Sequence, residues 1–301
     1  MRKIAVENGQ VMLNNRPYYM RLVLDQGYHP DGLLTFPADD SIRQDIELTR
    51  AMGFNGTRKH QKVEEPRYLY WADRLGLLVW GEMANAYRFS EIAVQRITSE
   101  WQTAIRRDYN HPSIVAWVPI NESWGVPDLQ GDPRQVDHLL AMYHLVRSID
   151  PTRLVISNDG WEHARTDLLT IHDYEGDGEI LHERYRTLEN ILAARPAKRD
   201  LFVAGFSHEN QPILVTEFGG IGYQKDAQEG WGYTTASDDA EFIRRYRAVL
   251  EAVLASPEVQ GFCYTQFCDV EQEINGLLTY DRTPKVDLAT IREITQAPHR
   301  G

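Results

Sequence analysis

Two glutamates stand at matching places in this chain. Ile114-Val115-Ala116-Trp117-Val118-Pro119-Ile120 is an apolar, β-forming run that ends directly in Asn121-Glu122-Ser123-Trp124-Gly125. Ile213-Leu214-Val215-Thr216 ends the same way, in Glu217-Phe218-Gly219-Gly220. Continuous apolar character over that length fits strands buried on both faces, as in a parallel sheet. One such glutamate is accounted for by capping the turn or helix that follows. Two of them, with Asn before the first and Gly-Gly after the second, point to a working pair. Two carboxylates flanking a bond are what glycoside cleavage requires: one protonates the leaving oxygen, and the other attacks the sugar or activates water. A gap of about 5–5.5 Å gives retention, and a wider one holding a water gives inversion.

A regular alternation of strand-like and helix-like stretches runs along the chain. Residues 4 to 19 read as a short hairpin, with turn chemistry at Glu7-Asn8-Gly9 and Asn14-Asn15-Arg16-Pro17. Strands are expected at 19–24, 53–58, 77–82, 114–120, 154–158, 168–172, 213–218 and 261–267. Helices are expected at 41–52 (capped by Asp39 or Asp40), 66–75, 90–109, 133–149, 179–194, 238–255 and 287–296, with only a short helical segment near Trp161–Ala164. A loop containing Gly and Trp spans 220–237. Eight strands alternating with helices, with no linker between them, predict a single (β/α)8 (TIM) barrel over 1–301, preceded by a short N-terminal β-hairpin. In such barrels the chemistry sits past the carboxyl ends of the strands, which puts Glu122 (strand four) and Glu217 (strand seven) at one mouth.

Composition narrows the function. At 301 residues and 42% apolar content the chain can build one large core, and seven Trp and fifteen Tyr hint at platforms for flat or sugar ligands. A net charge of −12 with dispersed basic residues argues against nucleic acid. No apolar stretch approaches the roughly 20 residues that span a bilayer, and the N-terminus turns polar too soon for a signal peptide. Cys263 and Cys268 lie at an odd separation, on opposite faces of a strand, and are expected to be free thiols, which fits a cytoplasmic protein. The Gly-rich phosphate-binding fingerprints are absent, and no cofactor is expected. The sequence carries no signal for oligomeric state.

Asn121-Glu122 after one strand, Thr216-Glu217-Phe218-Gly219 after another, and His111-Pro112-Ser113-Ile114 leading in resemble glycoside hydrolase family 2, the family of β-galactosidases and β-glucuronidases. Gly53-Phe54-Asn55, the run Asp73–Trp80 and the run Gly276–Arg282 extend the resemblance over the whole chain. It implies a retaining exo-acting β-glycosidase with Glu122 as acid/base, Glu217 as nucleophile, Asn121 as donor to the sugar 2-hydroxyl and Tyr174 in contact with the nucleophile. It also implies a jelly-roll and immunoglobulin-like domains ahead of the barrel, which this chain lacks. The chain is therefore expected to be an excised or a minimal catalytic domain.

Further site candidates come from strand ends. Arg58, ending strand two, is placed to keep Glu217 ionised, or to form an ordinary ion pair. His172 and Asp25 would bind sugar hydroxyls, or be a packed histidine and a structural pair. Trp124 and Trp161 would stack on a sugar ring, or be core. Gln266 is a weaker candidate, and Glu82 a neighbour. Ala84-Asn85-Ala86-Tyr87 offers none of the Glu and His that bind magnesium in some β-galactosidases, so no metal is expected. The Asn-x-Lys that binds a glucuronide carboxylate is replaced by Glu273-Ile274-Asn275-Gly276. β-Galactoside is the first expectation for substrate, with a β-uronide held by Arg58, Lys59 or His60 as alternative. The competing classes are a non-catalytic carbohydrate-binding barrel and a metal-dependent hydrolase, the latter disfavoured by the lack of His-x-His on strand one.

Overall fold

The computed structural model of the chain describes residues 2–225 and 230–299; four residues of the 220–237 loop thus lie outside the described residues. Three short strands open the chain, β1 (Ile4–Glu7), β2 (Gln10–Leu13) and β3 (Arg16–Pro17), paired antiparallel in the order β1-β2-β3. Asn8, Gly9, Asn14 and Asn15 have φ between 52° and 75° at the two turns, a left-handed conformation that Asn and Gly tolerate. The expected hairpin is therefore present, with a third, two-residue strand added.

The barrel follows: β4 (Met20–Asp25), α1 (Asp39–Ala51), β5 (Gly56–Lys59), α2 (Pro66–Leu75), β6 (Leu78–Glu82), α3 (Glu91–Asp108), β7 (Ile114–Val118), α4 (Pro133–Ile149) and β8 (Leu154–Val155). Its second half comprises β9 (Leu169–Asp173), α5 (Gly178–Arg184), α6 (Leu188–Ala193), β10 (Ile213–Phe218), the small pair β11 (Ile221–Gly222) and β12 (Thr234–Thr235), α7 (Asp239–Leu254), β13 (Val259–Tyr264) and α8 (Leu288–Thr295). Eight strands form one parallel sheet in the order β8-β7-β6-β5-β4-β13-β10-β9. The first barrel strand, β4, pairs with the last, β13, so the sheet curls round on itself. At the remaining seam, between β8 and β9, the links are scattered bonds, among them the Asp167 N–H to the Val155 carbonyl (2.9 Å), the Val155 N–H to the Asp167 carboxylate (2.8 Å) and the Gly160 N–H to the Thr170 hydroxyl (3.2 Å).

Side-chain alternation sorts the packing. Leu22 and Leu24 of β4 join Trp80, Val115, Leu154, Leu214 and Cys263 in an inner cluster, while Val23 between them joins the outer cluster with Phe242 and Leu250 of α7. Ile4 and Val11 of the N-terminal sheet belong to the inner cluster, so that sheet closes one end of the barrel.

Four local expectations are corrected. The N-cap of α1 is Ala38, without a side-chain bond, and Asp39 and Asp40 lie in its first turn, where negative charge suits the helix dipole. Strand five is two residues long, because Asn158 leaves the ladder to accept the Ser123 N–H and to donate to the Trp161 carbonyl. No helix forms at 161–164: Glu162 has φ of 50° and His163 makes an isolated bridge with Phe202. The helix expected at 179–194 is broken into α5 and α6, the second capped by the Thr187 hydroxyl. Among the described residues, no helix is long and apolar enough to cross a membrane.

Candidate active site

β7 runs straight into the turn that carries Glu122. Glu122 and Ser123 have φ of 52° and 58°, left-handed values that are uncommon for such residues and that persist where surroundings over-determine them. The surroundings are visible: the Glu122 N–H donates to the Asp159 carbonyl (2.9 Å), the Ser123 N–H to Asn158 Oδ1 (2.9 Å), and the Trp124 N–H to the Asn121 carbonyl (2.9 Å). Asn121 in turn donates its N–H to Asn85 Oδ1 (2.7 Å). The turn is thus clamped from the β6 and β8 sides, and the Glu122 side chain remains about one-fifth exposed.

Glu217 arrives on β10, where the register against β9 shifts and sets it opposite His172. Four groups converge on its carboxylate, His60 Nδ1 among them at 3.6 Å from Oε1. Arg58 Nη1 donates to Oε1 (2.8 Å), the Tyr174 hydroxyl donates to Oε2 (2.6 Å), and His172 Nδ1 lies 3.6 Å from Oε2. The same His172 Nδ1 is 2.8 Å from Glu122 Oε1, while its Nε2 is 3.4 Å from Asp159 Oδ2. One ring therefore bridges both glutamates. Arg58, fully buried, also bonds Glu82 (2.6 Å) and Asn121 Oδ1 (2.7 Å) and pairs with Asp159 (2.9 Å). By holding the Asn121 oxygen, Arg58 leaves the amide nitrogen free to donate into the mouth.

The electrostatics follow from that crowding. Burial disfavours a charged His172 ring, but Glu217, Asp159 and Glu122 outweigh it and push the ring up to about 10. Burial pushes the Glu217 carboxyl up from its ordinary value, against the pull of His172, Arg58 and the Tyr174 hydroxyl. Burial likewise lifts Glu82 to about 7 despite Arg58. Burial, then Arg58 and His172, hold His60 well below the usual histidine range, and so neutral. Ligand atoms of Glu122, His172 and Glu217 all lie within 4.8 Å of one another, the one grouping among the described residues with metal-like geometry.

The other expected residues divide. Tyr174, Arg58, Asn121 and His172 come together around the two glutamates, His172 facing carboxylates rather than open space. Asp25 is committed elsewhere: it pairs with Lys59 (2.5 Å), which also pairs with Glu64 (2.7 Å), and it accepts the Gly27 N–H. Trp161 is largely buried, edge-on to His172 (5.5 Å) and with the Arg199 guanidinium over its ring (5.8 Å). Trp124 is exposed and packs with Tyr87 (5.3 Å). Gln266 is buried in an amide chain, accepting from Gln26 (3.0 Å) and donating to Asn275 (2.7 Å). Sequence reading missed Asp159, although a carboxylate just past a barrel strand was the signal that found the other two. It also missed Tyr233, which stacks face to face on Tyr174 with centroids 3.4 Å apart; nothing in a loop sequence marks such a residue. Both cysteines are buried and free.

A curled parallel sheet of eight strands whose carboxyl ends bring two glutamates face to face is the arrangement of a barrel glycosidase. The chain belongs to the glycosyl hydrolases family 2, TIM barrel domain, whose family model matches residues 4–299. It is 27% identical to a β-galactosidase of Vibrio cholerae serotype O1, over 98% of this chain and 29% of that protein. Among solved structures it resembles the β-galacturonidase of Eisenbergiella tayi bound to galacturonate (19% identity, TM-score 0.78, 98% of this chain and 54% of that one). It also resembles the β-glucuronidase of Bifidobacterium dentium complexed with coumarin-3-O-glucuronide (21%, 0.79, 100% and 50%). The chain thus spans under a third of the Vibrio protein's length and about half of the two solved chains.

Proposed function

We propose that this barrel is a retaining exo-β-glycosidase, with Glu217 as nucleophile and Glu122 as acid/base, and that its substrate is a β-galactoside. The observation that carries the reading is the approach of the two carboxylates, with oxygens within 4.8 Å of each other. That approach lies on the short side, near the about 5–5.5 Å of a retaining pair rather than the roughly 6.5–9.5 Å of an inverting one. Glu217 attacks the anomeric carbon while Glu122 protonates the departing oxygen; water, deprotonated by Glu122, then cleaves the glycosyl ester. Tyr174 and Arg58 bond the Glu217 oxygens and hold the carboxylate for attack, and Asn121 donates to the 2-hydroxyl.

The name of the Vibrio relative supports the galactoside, whereas the solved relatives act on uronides. A uronate carboxylate needs a cation with donors to spare. Arg58 spends its donors on Glu82, Glu217 and Asn121, Lys59 spends its own on Asp25 and Glu64, and His60 is neutral. That favours a neutral sugar. A panel of aryl β-glycosides tests the reading, followed by 2-deoxy-2-fluoro labelling with the sugar that is turned over. Label on Glu217 is expected, and label on another residue would overturn the assignment. Calorimetric sugar binding with no turnover across the panel would instead favour a non-catalytic carbohydrate-binding barrel.

A further inference from the structure

The mouth has two unlike sides. Along β4 and β13 the polar groups are linked in a chain, with Gln266 and Asn275 buried and Gln26 and Glu273 half-buried: Gln26 donates to Gln266 and to Glu273 (2.8 Å), Gln266 to Asn275, and Asn275 to Glu273 (3.1 Å). Over β10 the character changes. Tyr174, whose hydroxyl meets Glu217, is covered by Tyr233 at 3.4 Å and 6° between planes, and Trp231 stands edge-on to Tyr233 at 5.7 Å. Trp231 and Tyr233 are 50% and 48% exposed, although each sits on ordered backbone. The Tyr233 N–H donates to the Gly220 carbonyl (2.8 Å), the Trp231 N–H to Gln272 (2.8 Å), and Ile274 donates back to Trp231 (3.0 Å). Gly220, at φ of +55°, has no room for a Cβ, which would meet Tyr233 at 2.5 Å and Tyr174 at 3.1 Å. Residues 231–233 are therefore seated tightly, and the two aromatic rings are still left facing solvent. Glu217, Glu122 and Glu273 all act on the Tyr233 phenol, which lies within the field of both candidate catalytic groups.

We infer that Trp231 and Tyr233 form the wall of the leaving-group subsite, taking a ring with an apolar face, either a second pyranose or an aryl group. The inference rests on the catalytic reading above. A terminal sugar must be read by fixed polar groups, which Asn121, the two glutamates and the half-buried ends of the amide chain, Gln26 and Glu273, supply. The group it leaves with must enter and depart, which suits the open aromatic side. Stacking on exposed aromatic faces is how such rings are held without a fixed hydrogen-bond pattern.

Reactivation of the labelled enzyme isolates this subsite from sugar binding. In the 2-deoxy-2-fluoroglycosyl enzyme, an acceptor hydroxyl attacks the anomeric carbon. The bond to the Glu217 oxygen breaks, a new glycosidic bond forms, and the hydroxyl proton passes to Glu122. Water, methanol, benzyl alcohol and methyl β-glucoside are compared as acceptors, the last two separating an aryl from a sugar occupant. Saturable acceleration by a ring-bearing acceptor is expected in the unaltered chain. Trp231→Ala and Tyr233→Ala should lower that acceleration ten-fold or more, out of proportion to any change in the water rate, and Tyr233→Phe should retain it. An unchanged acceptor response in the alanine variants would overturn the inference. So would an equal fall in acceptor and water rates, which would mean that the two rings only steady Tyr174. Failure of any fluoroglycoside to label Glu217 would sink the catalytic reading itself, and this inference with it.

Discussion

Arg58 shows how much one side chain is asked to do at the mouth. Its planar guanidinium meets groups from β6, the β7 turn, the segment after β8, and β10, and a lysine at this position can reach only some of them. Removing one partner from a buried charge network is costly because the remaining charges stay buried. Arg58→Met is therefore expected to destabilise the fold by about 3–5 kcal/mol, read as a shift in urea midpoint, and to abolish turnover. At the glutamates the expected outcomes differ in kind. Glu217→Gln should lose turnover with every substrate. Glu122→Gln should lose about 10²–10⁴-fold, least with activated aryl leaving groups that need no proton, and should regain rate with azide. Unaffected turnover in Glu217→Gln would remove the nucleophile from the scheme. At this scale the sequence was legible where a charged residue ends a strand, as for Arg58, Glu122 and Glu217. It left two readings open where a partner in space decides the role: Asp25 is taken by Lys59, and His172 by three carboxylates.

At the scale of elements, the short β8 matters more than its two residues suggest. Past Val155 the chain keeps bonding the end of β7, the Ile156 N–H to the Trp117 carbonyl (3.0 Å) and the Asp159 N–H to the Ile120 carbonyl (2.9 Å), and Asp159 and Gly160 thereby come to lie beside His172. Gly160 has φ of +105°, and a Cβ there would stand 2.6 Å from His172 Nδ1. Gly160→Ala should therefore cost roughly 1–3 kcal/mol in backbone strain and also push the ring off Glu122. A ten-fold or greater fall in kcat/KM beyond what the lower stability explains would show the second effect, and an unchanged kcat/KM would count against it. Apolar runs and cap residues made β7, β10, α2, α3 and α4 readable to within a residue or two. The segment after β8 was not readable, because its shape is set by side-chain to backbone bonds such as Asn158 to Ser123, which leave no periodic trace.

For the molecule as a whole, the alternation of strands and helices was enough to read a closed barrel, since eight parallel strands have few other ways to hide both faces. The pattern does not reveal that the rim is tied by charge. Arg58 and His172 sit among Glu82, Asp159, Glu122 and Glu217, drawn from β5, β6, β9 and β10 and from the segments after β7 and β8, including the weakly laddered β8–β9 side. This has a consequence for stability against pH. The His172 ring is pushed up to about 10 in the folded chain, against an ordinary value of 6.5. Between those values the folded chain holds a proton that the unfolded chain has lost, so stability falls as pH rises. The contribution is fully present below pH 6.5 and is gone above about 10. Glu82, lifted from 4.5 to about 7, acts in the same direction but is finished near pH 7. One proton corresponds to a slope approaching about 1.4 kcal/mol per pH unit. Urea midpoints measured from pH 7 to 9.5 should therefore decline steadily in the unaltered chain. They should decline less steeply in His172→Gln, which starts lower at pH 7 and converges on the parent as pH rises. A parent curve that is flat over this window, or equal slopes in the two proteins, would mean that the ring is not the protonated bridge between the two glutamates.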